Sequence, residues 1–394
     1  MIGNLSLHLG ALLLAACLSL SVAAQSDGSP SASPRQGVVP DRPLYRLVFG
    51  RERPGRLDVR DRDVARIRSV ARNAFMSDLN DKAEDGYRLV SVLIPDLIGM
   101  VALDESPYEY QMFESVTDAF FGIGDLEERL VALRSKNTSL VAHAQLFPEC
   151  TPRDRDNIAY GDNCEYTFRF ITEKQRGPVT DQTVVSVVPG WGRSPTAELE
   201  SAIAAKLREG YYPARIISRF AVLLQKVGKG DEIEQGHVKV LRTAGNTKNL
   251  LDDVNRHAAD GYRLALIDDG VALMLRSASV GTTYHFLEGD RKDFAKQFDR
   301  ISSSVKFITT YPDRQGEMKG LVFESLKSGE RSRQYRFLQF DRQYSENSTR
   351  DKILAAIKPD ESEFDKAVAD LVKRGFRPRT LFVSRPFALL MESE

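Results

Sequence analysis

Histidine is the first residue type to ask for catalytic or metal chemistry, because a neutral imidazole both moves protons and ligates metals. The chain has five, at positions 8, 143, 237, 257 and 285, and His8 lies in the apolar leader. The other four fall in different stretches with no H-x-x-x-H or comparable ligand spacing. His257 shares a helical pattern with Asp252, Asp253 and Asp260. Asp253 at i−4 could orient the ring, but a solvent-facing helical histidine explains the pattern better. Asp268-Asp269-Gly270 resembles a carboxylate site, yet Asp-Gly is a common turn pair. No G-x-S-x-G, phosphate-loop or dinucleotide pattern occurs. The expectation is therefore no catalytic residue, no metal and no cofactor.

Two features remain that could contact a partner. The run Arg51–Arg72 holds eight arginines against four acidic residues, a mix that reads as a solvated face. The loop Val188-Pro189-Gly190-Trp191-Gly192-Arg193-Ser194-Pro195 carries the single tryptophan and feeds a helix N-terminus. Trp191 and Arg193 are the candidate partner contacts, through an anion or an aromatic anchor. Trp191 as an edge cap of its own unit is the competing reading. With 55 basic and 55 acidic residues the net charge is zero, which argues against nucleic acid as a partner.

The compartment follows from the first residues. Leu9 to Ala24 is apolar or small throughout, too short for a membrane span, and is followed by a Ser/Pro-rich linker over 25–42. Residues 1–24 read as a secretory signal peptide, with Val22-Ala23-Ala24 placing cleavage before Gln25. Leu14-Ala15-Ala16-Cys17 offers a lipobox as the alternative, in which Cys17 would carry a lipid anchor. Both readings put the mature chain outside the cytoplasm, periplasmic or secreted. In that compartment Cys150 and Cys164 are expected to form a disulfide around an exposed loop.

The elements that must position these residues repeat. Asp85-Gly86-Tyr87-Arg88-Leu89, Glu209-Gly210-Tyr211-Tyr212, Asp260-Gly261-Tyr262-Arg263-Leu264 and Arg374-Gly375-Phe376-Arg377 each lie between a helical period and two β-rich runs. Leu199, Ile203 and Leu207 give one such period, as do Leu250, Val254 and Ala258, and Phe364, Val368 and Leu371. Gly86, Gly210, Gly261 and Gly375 are placed as left-handed helix stops, a conformation cheap for glycine. Tyr87, Tyr211, Tyr262 and Phe376 are then core or cap residues rather than a ligand cage. Asp360-x-x-Glu363, Ser362-x-x-Asp365 and Asp125-x-x-Glu128 fit capping boxes.

Each unit begins with a further strand candidate: Tyr45–Phe49, Thr183–Val188, His237–Leu241 or Tyr335–Phe340. Two more units lack the glycine, around helices with Leu126, Leu130 and Leu133 and with Phe294, Phe298 and Ile301. Gly86 and Gly261 are 175 residues apart, and Gly210 and Gly375 are 165 apart. The fold class is thus α+β: about six tandem βαββ units, a duplication of three, with antiparallel or mixed sheets and helices on one face. The first half would cover 43–226 and the second 237–394. One unit is too small to bury a core alone, so neighbours must cover each other.

The helix-(Asp/Glu)-Gly-Tyr-Arg-Leu signature resembles small bacterial domains of unknown function, whose helix ends in Glu-Gly-Trp-Glu-Leu-Val before a closing hairpin. The resemblance implies a fold and carries no functional residue across. The expected function is a non-catalytic extracytoplasmic binding or scaffold protein that contacts an envelope protein or other component. The alternative is a hydrolase of unfamiliar type with a site between the two halves.

Overall fold

A computed structural model describes residues 42–49, 61–93, 98–104, 106–118, 125–145, 149–151, 163–175, 180–187, 194–226, 233–243, 247–268, 270–277, 282–288, 304–312, 318–327, 329–331, 333–340, 361–383 and 387–393. The leader, most of the linker, Trp191, Arg193 and the helix proposed around Phe294 lie outside the described residues.

The chain forms an α+β fold of six antiparallel sheets. The first joins β1 (Tyr45–Phe49), β2 (Tyr87–Leu93) and β3 (Ile98–Leu103), with helix α1 (Asp61–Glu84) between β1 and β2. The second has β4 (Glu109–Asp118), α2 (Leu126–Arg134), β5 (Thr138–Gln145), the short β6 (Glu149–Thr151) and β7 (Asn163–Lys174). The third has β8 (Gln182–Ser186), α3 (Pro195–Arg208), β9 (Tyr211–Ser218) and β10 (Ala221–Lys226). The fourth has β11 (Ile233–Arg242), α4 (Thr247–Ala259), β12 (Tyr262–Asp268) and β13 (Val271–Ser277). The fifth has β14 (Tyr284–Glu288), β15 (Val305–Pro312) and β16 (Met318–Ser325). The sixth has β17 (Tyr335–Phe340), α5 (Glu361–Lys373), β18 (Phe376–Val383) and β19 (Phe387–Ser393).

In every sheet the last long strand runs between the other two: β1-β3-β2, β4-β7-β5, β8-β10-β9, β11-β13-β12, β14-β16-β15 and β17-β19-β18. All pairings are antiparallel, so the two outer strands are parallel to each other and a crossover must join them. In the first, second, third, fourth and sixth sheets helices supply that crossover. Gly86, Gly210, Gly261 and Gly375 close them with φ of 88°, 87°, 87° and 88°. In the second sheet the same role falls to Asn137, at φ 56°, the residue type next most tolerant of that region. Four positions after each of these residues the strand bulges against its central partner, at Val90, Val141, Ala214, Ala265 and Arg379. Ile308 makes the corresponding bulge in the fifth sheet.

Among the described residues each core cluster is shared by two sheets. Phe75, Leu79 and Tyr87 pack on Tyr110, Ala142 and Ile171 of the second sheet. Leu130, Phe168 and Phe170 pack on Val184, Ile217 and Leu223 of the third. Leu199, Ile203 and Val222 meet Val240, Leu266 and Leu273 of the fourth. Leu250, Val254 and Met274 meet Ile308, Tyr311 and Val322 of the fifth. Phe307 and Phe323 meet Tyr335 and Leu390 of the sixth. Leu371, Leu381 and Leu389 then return to Leu47 and Met100 of the first. The circuit is closed by a bond across the length of the chain, from the Leu381 N–H to Ser91 Oγ at 3.3 Å. Strands of neighbouring sheets meet at β2 and β18, β5 and β9, β9 and β12, and β12 and β15, which lessens the hazard of a bare strand edge there. Asn80 of α1 pairs its amide with the N–H and C=O of Tyr110 at 2.8 and 3.1 Å, and Asn255 of α4 treats Tyr284 the same way at 2.8 and 3.0 Å.

Some expectations need correction. Asp125 precedes α2 but makes no side-chain cap; its carboxylate goes to Ser115 and Arg129 instead. Ser362 stands inside α5, so the Ser362–Asp365 pair is not its start, whereas Asp360 lies outside the described residues. Arg169, which alternates with Phe168 and Phe170 along β7, is only 5% exposed, and its guanidinium donates to Glu114 at 2.8 Å.

Two glycines separate conformational from steric need. Gly210→Ala meets no atom within 4 Å and should cost about 1–2 kcal/mol, from the left-handed backbone alone. Gly320 sits in the middle of β16, where a Cβ would lie 2.1 Å from the Leu287 carbonyl oxygen and 2.7 Å from the Tyr311 ring. Gly320→Ala should cost at least about 3 kcal/mol as β14 and β15 are pushed apart. Urea midpoints of the two variants check the order.

Candidate functional site

The strongest polar features are three joints between neighbouring sheets, each holding a tyrosine and a glutamate that face each other on paired strands. At the first joint Tyr110 donates from its hydroxyl to Glu173 Oε2 at 2.8 Å and accepts the Leu89 N–H at 2.8 Å. Arg88 donates to the same carboxylate at 2.9 Å. At the joint between the fourth and fifth sheets Tyr284 stands opposite Glu324, its hydroxyl accepts the Leu264 N–H at 2.8 Å, and Arg263 donates to Glu324 at 3.0 Å. The joint between the fifth and sixth has Tyr335, which accepts the Phe307 N–H at 2.7 Å and donates to Glu392 at 2.8 Å. Arg333 donates to that carboxylate at 2.7 Å, and Arg379 is bonded to it too. Burial first, and then the adjacent carboxylate charge, push all three phenols well above their usual range. These groups hold their protons and serve as clasps.

A different cluster lies where the second, third and fourth sheets meet. Arg215 of β9 donates to the Val141 carbonyl and faces the Asp268 charge. Burial pulls its guanidinium down to about 10, against the opposing pull of Asp268. His143 of β5 stacks on Phe170 with ring centroids 6.4 Å apart, and its sealed Nδ1 has no hydrogen-bond partner. Burial, then the Arg215 charge, push the imidazole down to about 3. So weak a base takes a proton poorly at neutral pH.

Beside this cluster three chain turns converge. The β9–β10 turn brings Arg219 and Phe220, the end of β11 brings Arg242 and Thr243, and Gly270 lies in the β12–β13 turn. The Arg242 guanidinium lies over the Phe220 ring, Cζ 4.8 Å from its centroid. Comparison with known proteins adds nothing to this geometry. No family model matched the chain, and neither did any curated protein or solved structure.

The residues named from sequence are distributed as follows. His257 is edge-on to Tyr262 at 5.9 Å, with Nδ1 3.9 Å from Asp260; Asp253 is taken by Arg256 at 2.6 Å. The aromatics after the helix stops serve packing: the Tyr87 hydroxyl donates to Pro43 O and that of Tyr211 to Asp181, each at 2.7 Å. Cations flank all four, Arg46 at Tyr87, Lys206 at Tyr211, Arg276 at Tyr262 and Arg374 at Phe376. The loop before α3 ends on Ser194, whose Oγ accepts the Ala197 N–H at 3.5 Å. Cys150 and Cys164 are opposite partners in the β6–β7 pairing. Among the described residues no group of three or more potential ligands is placed to hold a metal, and no helix is long and apolar enough to span a membrane.

Sequence reasoning missed the arginines. Arg215, Arg219 and Arg242 are ordinary strand and turn residues until three sheets bring them together.

Proposed function

We propose that this chain is an exported, non-catalytic binding or scaffold protein made of six βαββ units, three of them duplicated. The observation that carries this is where the buried ionisable groups are spent: the tyrosines, glutamates and arginines of the clasps join units to each other. The duplication is supported by the clasps themselves, since Arg88 and Arg263 are 175 residues apart and Tyr110 and Tyr284 are 174 apart. A ring of small units leaves its hairpin tips and loops as the working surface, as in other repeat architectures. The partner is an envelope protein or other extracytoplasmic component, with Trp191 and Arg193 as contact residues.

The test is a photo-crosslinking residue placed at 191 or 193 in cells that express the chain. One discrete adduct in the envelope is expected. Hydrolytic turnover by the purified chain that disappears in His143→Ala would overturn the reading.

Export is supported by the leader and by the cysteine register. A Cys150–Cys164 disulfide fits strands that pair these residues directly. The mature chain is expected to begin at Gln25 and to show no reactive thiol, both readable by intact mass after alkylation. Cys164→Ser should lower stability by about 3 kcal/mol, the chain-entropy value for a loop of this size. A lipid adduct on Cys17 would move the chain from secreted to anchored without changing the fold.

A further inference from the structure

The joints of the ring differ in one repeated detail. In β2, β5, β12 and β15 the residue just before the bulge gives its N–H to a side chain of the next sheet. Tyr110, Tyr284 and Tyr335 accept it from Leu89, Leu264 and Phe307. Gln182 does the same for Leu140, accepting its N–H at 2.8 Å and donating to its carbonyl at 3.0 Å. In β9 and β18 the residue before the bulge is proline, Pro213 and Pro378. Proline has no N–H, so neither strand can make this bond.

The two prolines are 165 residues apart, as Gly210 and Gly375 are, and they fall in the last unit of each half. The facing strand has changed with them. Tyr110, Tyr284 and Tyr335 stand opposite Glu173, Glu324 and Glu392. At the joint of the third and fourth sheets the same register holds Val238 opposite Leu275, and at the joint of the sixth and first it holds Tyr45 opposite Ala102. The four joints inside the halves therefore carry the amide clasp. The two seams between the halves have lost its donor and have an apolar residue in the place of the carboxylate.

The two seams are not equal. β10 leads directly into β11, so the chain ties the third sheet to the fourth, and Glu200 Oε1 also accepts the Val240 N–H at 2.9 Å. The sixth and first sheets come from opposite ends of the chain, which makes theirs the joint with neither clasp nor direct chain connection. Opening in a folded protein starts where the restraints are fewest.

We propose that the ring opens at the seam between the sixth and first sheets, with the seam between the third and fourth as hinge and the two three-unit halves as the moving bodies. Opening uncovers Leu47 and Met100 on one side and Leu371, Leu381, Leu389 and Met391 on the other. The proposal rests on the duplicated architecture for its moving bodies and is independent of the partner. A crosslink at position 191 neither needs it nor excludes it.

The experiment exposes the mature full-length chain to dilute hydrogen peroxide under native conditions and follows methionine sulfoxide by peptide mass spectrometry. Met100 and Met391 line the seam and are 1% and 0% exposed; Met274 is 0% exposed at the clasped joint of the fourth and fifth sheets. Static burial alone protects all three alike. Opening at the seam should make Met100 and Met391 oxidise together, about tenfold or more faster than Met274, because access follows the population of the open state. Pro378→Leu, which returns an N–H to the seam, should slow both toward the Met274 rate and leave Met274 unchanged. Equal rates for the three methionines in the wild type would overturn the proposal, since opening would then be global or absent. So would oxidation of Met391 without Met100, which is fraying of the C-terminal strand, or a folded Pro378→Leu whose seam rates match the wild type. The wild-type ratio decides by itself should Pro378→Leu fail to fold.

Discussion

Glu173→Ala is expected to lower the unfolding free energy by about 3–5 kcal/mol, the penalty for leaving buried partners of a charge uncompensated. The Glu173 side chain is 1% exposed and accepts from Arg88 at 2.9 Å, Tyr110 at 2.8 Å and Gln175 at 2.7 Å. Removing it strands the Arg88 charge, and the Tyr110 hydroxyl keeps only the Leu89 N–H. The loss falls on the joint between the first and second sheets. In a closed circuit a weakened joint exposes two cores at once, so one shifted urea transition is expected in place of an early partial one.

The same physics predicts an asymmetry. Arg88→Met combined with Glu173→Met should recover most of the loss, because an apolar pair of similar volume avoids desolvating two charges. Tyr110→Phe alone should cost about 1–3 kcal/mol, since it leaves the Leu89 N–H buried without an acceptor. A loss below about 1 kcal/mol for Glu173→Ala would mean that the clasps contribute little and that the apolar clusters alone hold the ring.

How much of this could be read from the sequence depends on the range of each interaction. The helix stops are local: a left-handed residue after a helical period has one cheap solution, so Gly86, Gly210, Gly261 and Gly375 stand out. Asn137 escapes notice because asparagine is common in many other contexts. The units that lack glycine therefore look irregular, although the strand order is unchanged. Arg88 and Arg263 are visible in the repeated Gly-Tyr-Arg, but their carboxylates lie 85 and 61 residues further on, on other sheets. Nothing periodic in the chain marks Glu173 or Glu324 as their partners. Ring closure is the extreme case, since Ser91 and Leu381 are 290 residues apart. The arginine cluster is hidden for the same reason. Arg215 and Arg219, in and just after β9, and Arg242 at the end of β11 form no motif, and their proximity arises only from how the third and fourth sheets pack.

The second large effect is on acid stability, and it centres on His143. With its folded pKa depressed to about 3 and an unfolded value of about 6.5, the unfolded chain binds the extra proton between those limits. The stabilisation is complete above about pH 6.5 and is lost as pH falls toward 3, at up to about 1.4 kcal/mol per unit. Carboxylates complicate only the lower part of that window. Asp125 and Glu109 are held below their usual range, the first by Ser115 and Arg129 against burial, the second by Lys174 and Gln111. The comparison should therefore run from pH 6.5 to 4.5. Across it the wild type should lose about 2–3 kcal/mol relative to His143→Phe, which keeps the stack on Phe170 without the titrating ring. His285, lowered by burial, is present in both proteins and cancels. Arg215→Met should make the slope shallower without abolishing it, because burial outranks the Arg215 charge as the cause. Parallel pH profiles for wild type and His143→Phe would show that the imidazole is protonated in the folded chain, and the enclosed joint of three sheets would then have to admit water.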